Sequence, residues 1–301
     1  MAGVGMAYHH AAEVVRLPVP ALATKTKGEE RMSMLEKIHR GRKQSPPRIL
    51  IYGTEGIGKS TMAASAPRPI FVPTEDGLDQ IDCASFPLAK KLSDVDAALK
   101  TLLNEKHDFG TVVIDSVDWL EHLIWSALCE QYGVASIERV DGGYGRGYVH
   151  ALAQWRKLLD DLDTLRAQRN MAVVFIGHSK VERYEDPEHP AYDRYSPRLH
   201  RLASAMLVAW CDAVLFATYK IATKTEDSGF GRERTIVANT NRNGGERILR
   251  TVGGPACVAK NRFGLPAEIQ LSWPSLVQAM RESIVPTKQS AKQQPAPSVT
   301  D

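Results

Sequence analysis

The chain has 301 residues, 43% hydrophobic and 24% charged, which is ordinary for a soluble protein of one large or two small domains. A net charge of +3 is too small to imply nucleic acid by itself, and no run approaches the ~20 apolar residues of a membrane span. Cys83, Cys129, Cys211 and Cys257 lie far apart with no C-x-x-C pair, which argues against zinc and disulfides and fits a reducing cytosol. Met1 to Val15 carry His9, His10 and Glu13 and no continuous apolar core, against a secretory signal.

Residues 1–47 show no clear period and hold Pro18, Pro20, Pro46 and Pro47, so a flexible basic extension is expected. It contains one short helix, Met34–His39, and a basic run, Lys37–Lys43, that is a solvated tail or a DNA or partner contact. Met32 or Met34 serves as well as Met1 for a start. From 48 to 283 strands alternate with helices. Arg48–Tyr52 is a buried strand, Gly53–Ser60 a glycine-rich turn, and Thr61–Ala66 the start of a helix. Pro69–Pro73 is a second strand. Ser93–Lys106 is an amphipathic helix with Ser93 as its N-cap. Thr111–Asp115 is a strand, Val117–Tyr132 and Arg146–Asn170 are helices, and Met171–Gly177 is again a buried strand. Leu202–Trp210 is a helix, Ala213–Thr218 a strand, and Arg234–Leu271 looks β-rich. Near-continuous apolar strands separated by helices predict an α/β fold, a mostly parallel sheet covered on both faces with a β-rich C-terminal part. Residues 284–301 are polar and of low complexity, and are expected to be disordered.

Gly53–Ser60 reads GTEGIGKS, a full match to G-x-x-x-x-G-K-[ST], in the strand–turn–helix context this phosphate-binding loop requires. The N–H groups of Glu55 to Lys59, and the helix dipole behind them, are suited to phosphates. Gly53, Thr54, Glu55, Gly56, Ile57, Gly58, Lys59, Ser60 and Thr61 are therefore the expected ATP-binding set. Lys59 is expected to bridge the β- and γ-phosphates, and Ser60 to ligate Mg²⁺. Asp115 ends the strand Val112–Val113–Ile114–Asp115 and is the acidic candidate for the Mg²⁺ shell. AAA+ ATPases usually place a glutamate directly after that aspartate. Here the residue is Ser116, so a water-activating base must come from elsewhere. Glu75, in Phe71-Val-Pro-Thr-Glu-Asp-Gly-Leu-Asp79, stands just past the second strand, where ligands of open α/β sheets bind; it is equally a helix-start acid.

With these motifs in this order, residues 48 to 282 resemble the RecA/RadA recombinase superfamily. The resemblance implies a RecA-like P-loop NTPase core, with Glu75 as the catalytic glutamate after the second core strand. It places His178, in Phe175-Ile-Gly-His-Ser179, at the γ-phosphate-sensing end of the fourth core strand, where the family often carries glutamine. It makes Lys260 and Arg262 of Val258-Ala-Lys-Asn-Arg262 the two basic side chains inserted into a neighbouring subunit's ATP site; two apart on a strand, they point the same way. Within the superfamily the chain looks most like short phage-encoded RecA-like single-strand annealing proteins, through Tyr52–Thr61, Gly143–Tyr148, Trp210–Phe216 and Ala259–Arg262. These keep the ATPase core and lack the larger accessory domains of bacterial RecA.

The resemblance further implies two loops that hold single-stranded DNA. The first, Ser136–Tyr148, offers Arg139 and Arg146 for phosphates and Tyr144 and Tyr148 for base stacking. The second, Ser179–Arg201, offers Lys180, Arg183, Arg194, Arg198 and Arg201 among tyrosines, with acids enough to make it nearly neutral, and reads equally as a solvated lid. The function implied is an ATP-hydrolysing recombination or annealing protein, a homo-oligomer with no membrane role, in the cytoplasm of a bacterial host if phage-encoded. The tail offers a contact for a partner such as a single-strand-binding protein. The rival readings are a RecA-like helicase or loader motor without annealing activity, and a small-molecule phosphotransferase.

Overall fold

A computed structural model of the chain describes residues 45–220, 222–227, 233–238 and 245–284, together with Leu35, Ile38, Arg40 and Gly41. The chain divides into two compact units, 1–43 and 44–301, and the fold that follows belongs to the second. The expected helix 34–39 and basic run 37–43 lie for the most part outside the described residues, and the tail 285–301 lies wholly outside them.

Strand β1 (Arg48–Gly53) leads through the glycine-rich turn into α1 (Lys59–Ala64). Next come β2 (Pro69–Pro73), the two-residue β3 (Ala84–Ser85), α2 (Leu92–Asn104), β4 (Thr111–Asp115), α3 (Val117–Tyr132) and α4 (Arg146–Arg169). The 13-residue β5 (Ala172–Tyr184), β6 (Tyr192–Pro197), α5 (Arg201–Trp210) and β7 (Ala213–Tyr219) follow. The last part holds β8 (Ala222–Asp227), β9 (Glu233–Ala238), β10 (Arg247–Arg250), β11 (Lys260–Asn261), β12 (Glu268–Gln270) and α6 (Trp273–Ile284).

The main sheet runs β12-β10-β7-β1-β5-β4-β2-β3. It is parallel from β7 to β3 and ends in the antiparallel β10 and β12. Period-two alternation divides β1 between two cores. Leu50 and Tyr52 face a cluster containing Val95 of α2, Leu120 of α3, Trp155 of α4 and Leu207 of α5. Ile49 and Ile51 face a second cluster with Met62 of α1 and Leu276 of α6. Trp155 has no exposed surface, and truncating it to alanine would cost about 3–5 kcal/mol. The expected α/β core, a mostly parallel sheet with helices on both faces and a β-rich C-terminal part, is the architecture observed.

Two local expectations need correction. Ser93 does not cap α2. Asp94 reaches back instead, its Oδ2 accepting from the backbone N–H of Lys90 at 2.9 Å and of Lys91 at 3.0 Å. Nor is 179–201 a loop without structure. β5 continues beyond the sheet as Ser179–Tyr184 and pairs antiparallel with β6, in the register Glu182 opposite Arg194 and Tyr184 opposite Tyr192. The turn between them holds Pro187 and Pro190, which cannot donate to a ladder.

Candidate nucleotide site

Strand register alone brings the predicted residues together. Gly53 pairs with His178, Asp115 with Ile176, and Pro73 with Asp115, so the phosphate loop, His178, Asp115 and Glu75 stand on adjacent strand ends. At Gly53 an added Cβ would lie 2.3 Å from the Ala217 carbonyl oxygen, so only glycine lets β1 pack this closely on β7. Gly58 adopts φ 102°, a left-handed turn that aims the loop into α1.

Lys59 is buried, and its Nζ donates to the carbonyls of Gly53 at 3.1 Å and Thr54 at 2.8 Å. Burial lowers its pKa, and Asp115 opposes that shift. Ser60 Oγ donates to Asp115 Oδ2 at 2.6 Å. Burial raises the Asp115 carboxyl, while Ser60 and then Lys59 pull it down. A hydroxyl and a carboxylate held side by side are hard oxygen donors of the kind Mg²⁺ takes. With Glu75, Gly77 and His178 they line a cleft of about 260 Å³ over the loop. These residues fit a magnesium–nucleotide.

Glu75 is placed from β4: its backbone N–H and that of Thr74 both donate to the Asp115 carbonyl, and Thr74 Oγ1 is tied to the Ser116 backbone. Burial pushes the Glu75 carboxyl up, and the His178 ring acts in the opposite sense. His178 Nε2 lies 3.8 Å from Glu75 Oε1, and Nδ1 lies 2.9 Å from Asp118 Oδ2. The Asp118 hydrogen bond raises the His178 pKa against the effect of burial. Burial would also raise the Asp118 carboxyl, but hydrogen bonds from His178 and Arg198 outweigh it and hold it well below the usual carboxylate range. Glu75, Asp118 and His178 offer donor atoms within 4.8 Å of one another, close enough for a metal. The Asp118 oxygens, however, are already taken by His178 and Arg198, so a charge network describes the group better.

The remaining predicted residues are dispersed. Lys260 and Arg262 lie at the other end of the sheet, since β11 pairs with the start of β7, at Val214 and Ala213. Lys260 Nζ donates to the Val208 and Ala209 carbonyls at the end of α5, both at 2.7 Å, and Arg262 meets Asp212 at 3.3 Å. They share a side, as expected, but cannot reach the nucleotide cleft of their own chain. Arg139, Tyr144, Arg146 and Arg183 are exposed, Tyr144 almost fully at 99%. Lys180 donates to the Leu199 carbonyl, and Arg194 lies 3.9 Å over the Tyr184 ring and meets Glu182 at 3.1 Å. Arg198 is engaged by Asp118 and Glu55. Tyr148 is not free for bases: its ring stacks on His200 with centroids 4.0 Å apart.

Sequence reasoning missed Asp118, Arg198 as a nucleotide-site residue, and Arg247, whose guanidinium donates to the Ile57 carbonyl beneath the phosphate loop at 3.3 Å. Asp118 in the first turn of a helix reads as an ordinary dipole partner. No local signal separates that role from the one it has here.

The chain is 24% identical over 155 residues to the SPbeta prophage-derived uncharacterized protein YorG of Bacillus subtilis (strain 168). The match takes in 50% of this chain and 45% of the relative, so it spans less than half of that protein's length. Among solved structures the RadB recombinase aligns with a TM-score of 0.41 and 14% identity, over 77% of this chain and 90% of that one. The model of the AAA domain family AAA_24 matches residues 45–263, and with a phosphate loop, Asp115 and a parallel sheet inside those bounds the chain belongs to that family.

Proposed function

We propose that the protein binds and hydrolyses ATP with Mg²⁺ and acts on single-stranded DNA as a RecA-like recombination or annealing protein. One observation carries the hydrolytic half. Glu75, His178, Asp115, Ser60 and Lys59 line one cleft together with Glu55, Gly56 and Gly58 of the phosphate loop. ATP lies with its phosphates on the N–H groups of Glu55 to Lys59, and Lys59 meets the β- and γ-phosphates. Ser60 and Asp115 would hold Mg²⁺, which would supply charge neutralisation on the phosphate oxygens. Glu75 takes a proton from the attacking water as its oxygen bonds to the γ-phosphorus. The bond from that phosphorus to the β–γ bridging oxygen breaks, giving ADP and phosphate. His178 orients Glu75 and senses the γ-phosphate.

The DNA half rests on the resemblance and on exposure. Arg139, Tyr144, Arg146 and Arg183 are exposed, Tyr144 as a stacking platform, while Arg146 donates to the Asp141 carbonyl at 3.1 Å and Arg183 lies 3.6 Å from Glu185 in weak surface contacts. Lys180, Arg194 and Arg198 have partners within the chain and contribute less to DNA. Lys260 and Arg262 lie at the far end of the sheet from their own cleft and are held by the α5 carbonyls and Asp212, so a nucleotide role for them would require a homo-oligomer in which those contacts are released. A prophage-derived relative fits a phage-encoded protein working in a bacterial cytoplasm.

The test is ATP turnover with and without single-stranded DNA over a salt series, beside annealing of labelled complementary oligonucleotides. The expected result is DNA-stimulated turnover and strand annealing, the stimulation falling steeply with salt. Unwinding without annealing would make the protein a motor, and turnover indifferent to DNA would favour a phosphotransferase.

A further inference from the structure

Asp118 is a carboxylate in a buried place, 3% exposed, in the first turn of α3. A buried charge of this kind persists only when its oxygens are satisfied. Oδ1 accepts from the backbone N–H of His178 at 3.1 Å. Oδ2 takes His178 Nδ1 at 2.9 Å, together with Nη2 and Nε of Arg198 at 2.7 and 3.2 Å.

Two directions are fixed by these bonds. With Nδ1 donating to Asp118, the other ring nitrogen of His178 is left facing Glu75. With two nitrogens of its fork on Asp118, Arg198 has Nη1 left over, and Nη1 reaches Glu55 of the phosphate loop at 3.1 Å. Arg198 also directly follows β6, and its backbone N–H donates to the His178 carbonyl at 2.8 Å. One carboxylate therefore holds the neighbour of the candidate base, the root of the β5–β6 hairpin, and a cation at the rim of the phosphate site. The two halves of the Arg198 contact differ in strength. The Glu55 side chain is 66% exposed, and such surface pairs are weak. The Asp118 side chain is 4% exposed against 44% for Arg198, and the cost of breaking this contact lies in leaving the buried carboxylate without its cation.

We propose that Asp118 is a positioning residue for ATP hydrolysis. It aims His178 at Glu75 and holds Arg198 where Nη1 exchanges Glu55 for the γ-phosphate, so that the hairpin root follows the state of the nucleotide. The inference rests on the ATPase reading above.

The full chain and its Asp118→Asn, Arg198→Gln and Arg198→Lys variants are compared by fluorescent Mg–ATP binding, by steady-state turnover, and by hydrogen exchange of residues 179–197 with ADP or a non-hydrolysable ATP analogue. Asp118→Asn should bind Mg–ATP within about threefold of the parent, yet lose about 10²-fold in kcat, the scale of a misplaced catalytic group. Arg198→Gln should abolish the exchange difference between the two nucleotides while still binding both. Arg198→Lys, which keeps the charge without the fork, should recover part of the kcat. Parental kcat in Asp118→Asn overturns the proposal, as does a kcat loss matched by an equal loss of affinity. An exchange difference that persists in Arg198→Gln overturns it too, and that variant decides the matter if Asp118→Asn melts at the assay temperature. A parent that neither binds nor hydrolyses Mg–ATP instead removes the ATPase reading itself.

Discussion

The N-terminal end of the central sheet and the phosphate-loop cleft at its C-terminal end handle charge in opposite ways. At the N-terminal end cations and anions close on one another. Arg48 meets Asp212 at 2.9 Å and Asp163 at 3.4 Å, Arg166 and Arg262 also approach Asp212, and Lys260 caps α5. At the C-terminal end Lys59 is buried with only main-chain carbonyls as hydrogen-bond partners among the described residues. Asp115 and Glu75 stand beside it, both pushed up by burial. A closed network stabilises the fold. An open one, with a desolvated amine on one side and desolvated carboxylates on the other, is suited to a polyanion and its counter-cation.

Substitutions sharpen that contrast. Lys59→Ala should have the largest effect, lowering ATP turnover by about 10³-fold or more with little change in melting temperature, since on the proposed mechanism it removes the cation that meets developing phosphate charge. Glu75→Gln should retain Mg–ATP binding and lose about 10²–10³-fold in turnover, the share of a general base. Parental turnover in that variant would remove Glu75 as the base. Asp212→Ala should do the reverse. By leaving Arg48 and Arg262 without their shared partner it should cost about 2–3 kcal/mol in urea unfolding, with the per-site ATP affinity of the folded fraction unchanged.

Glu121 gives the smallest effect and a pH signature. Its carboxyl is pushed up to about 7 by burial, from an ordinary value of 4.5. Between those values the folded chain holds a proton on Glu121 that the unfolded chain has shed, so the contribution of this group to stability is greatest below 4.5 and is lost as pH rises through about 7. Glu121→Gln should therefore gain about 2 kcal/mol at pH 8 and little at pH 5, read by thermal melts at both. Equal shifts at the two pH values would break this assignment.

The loop Gly53–Ser60 and Asp115 were legible because their signal is local: a spacing of glycines, a short apolar strand, a terminal acid. Glu75 was legible as a candidate from its place just past a strand. Asp118 and Arg198 were not, because their meaning lies in a contact between residues 80 positions apart. The β5–β6 hairpin was overlooked although a period of two is present, Lys180, Glu182 and Tyr184 on one strand answering Tyr192, Arg194 and Ser196 on the other. Their charged and aromatic character masked the alternation that apolar strands make obvious. Lys260 and Arg262 show the converse case, since their spacing correctly placed both on one side while hiding that α5 and Asp212 already occupy them.

The unbroken course of β5 has a mechanical consequence. The strand leaves the sheet at His178 and runs on to Tyr184 without a joint. At about 3.3 Å per residue that outer arm is roughly 20 Å long. A tilt of about 10° at the fulcrum would sweep its far end through roughly 3 Å, about the length of a hydrogen bond. An adjustment too small to disturb the buried layers could in this way make or break a contact at the protein's periphery.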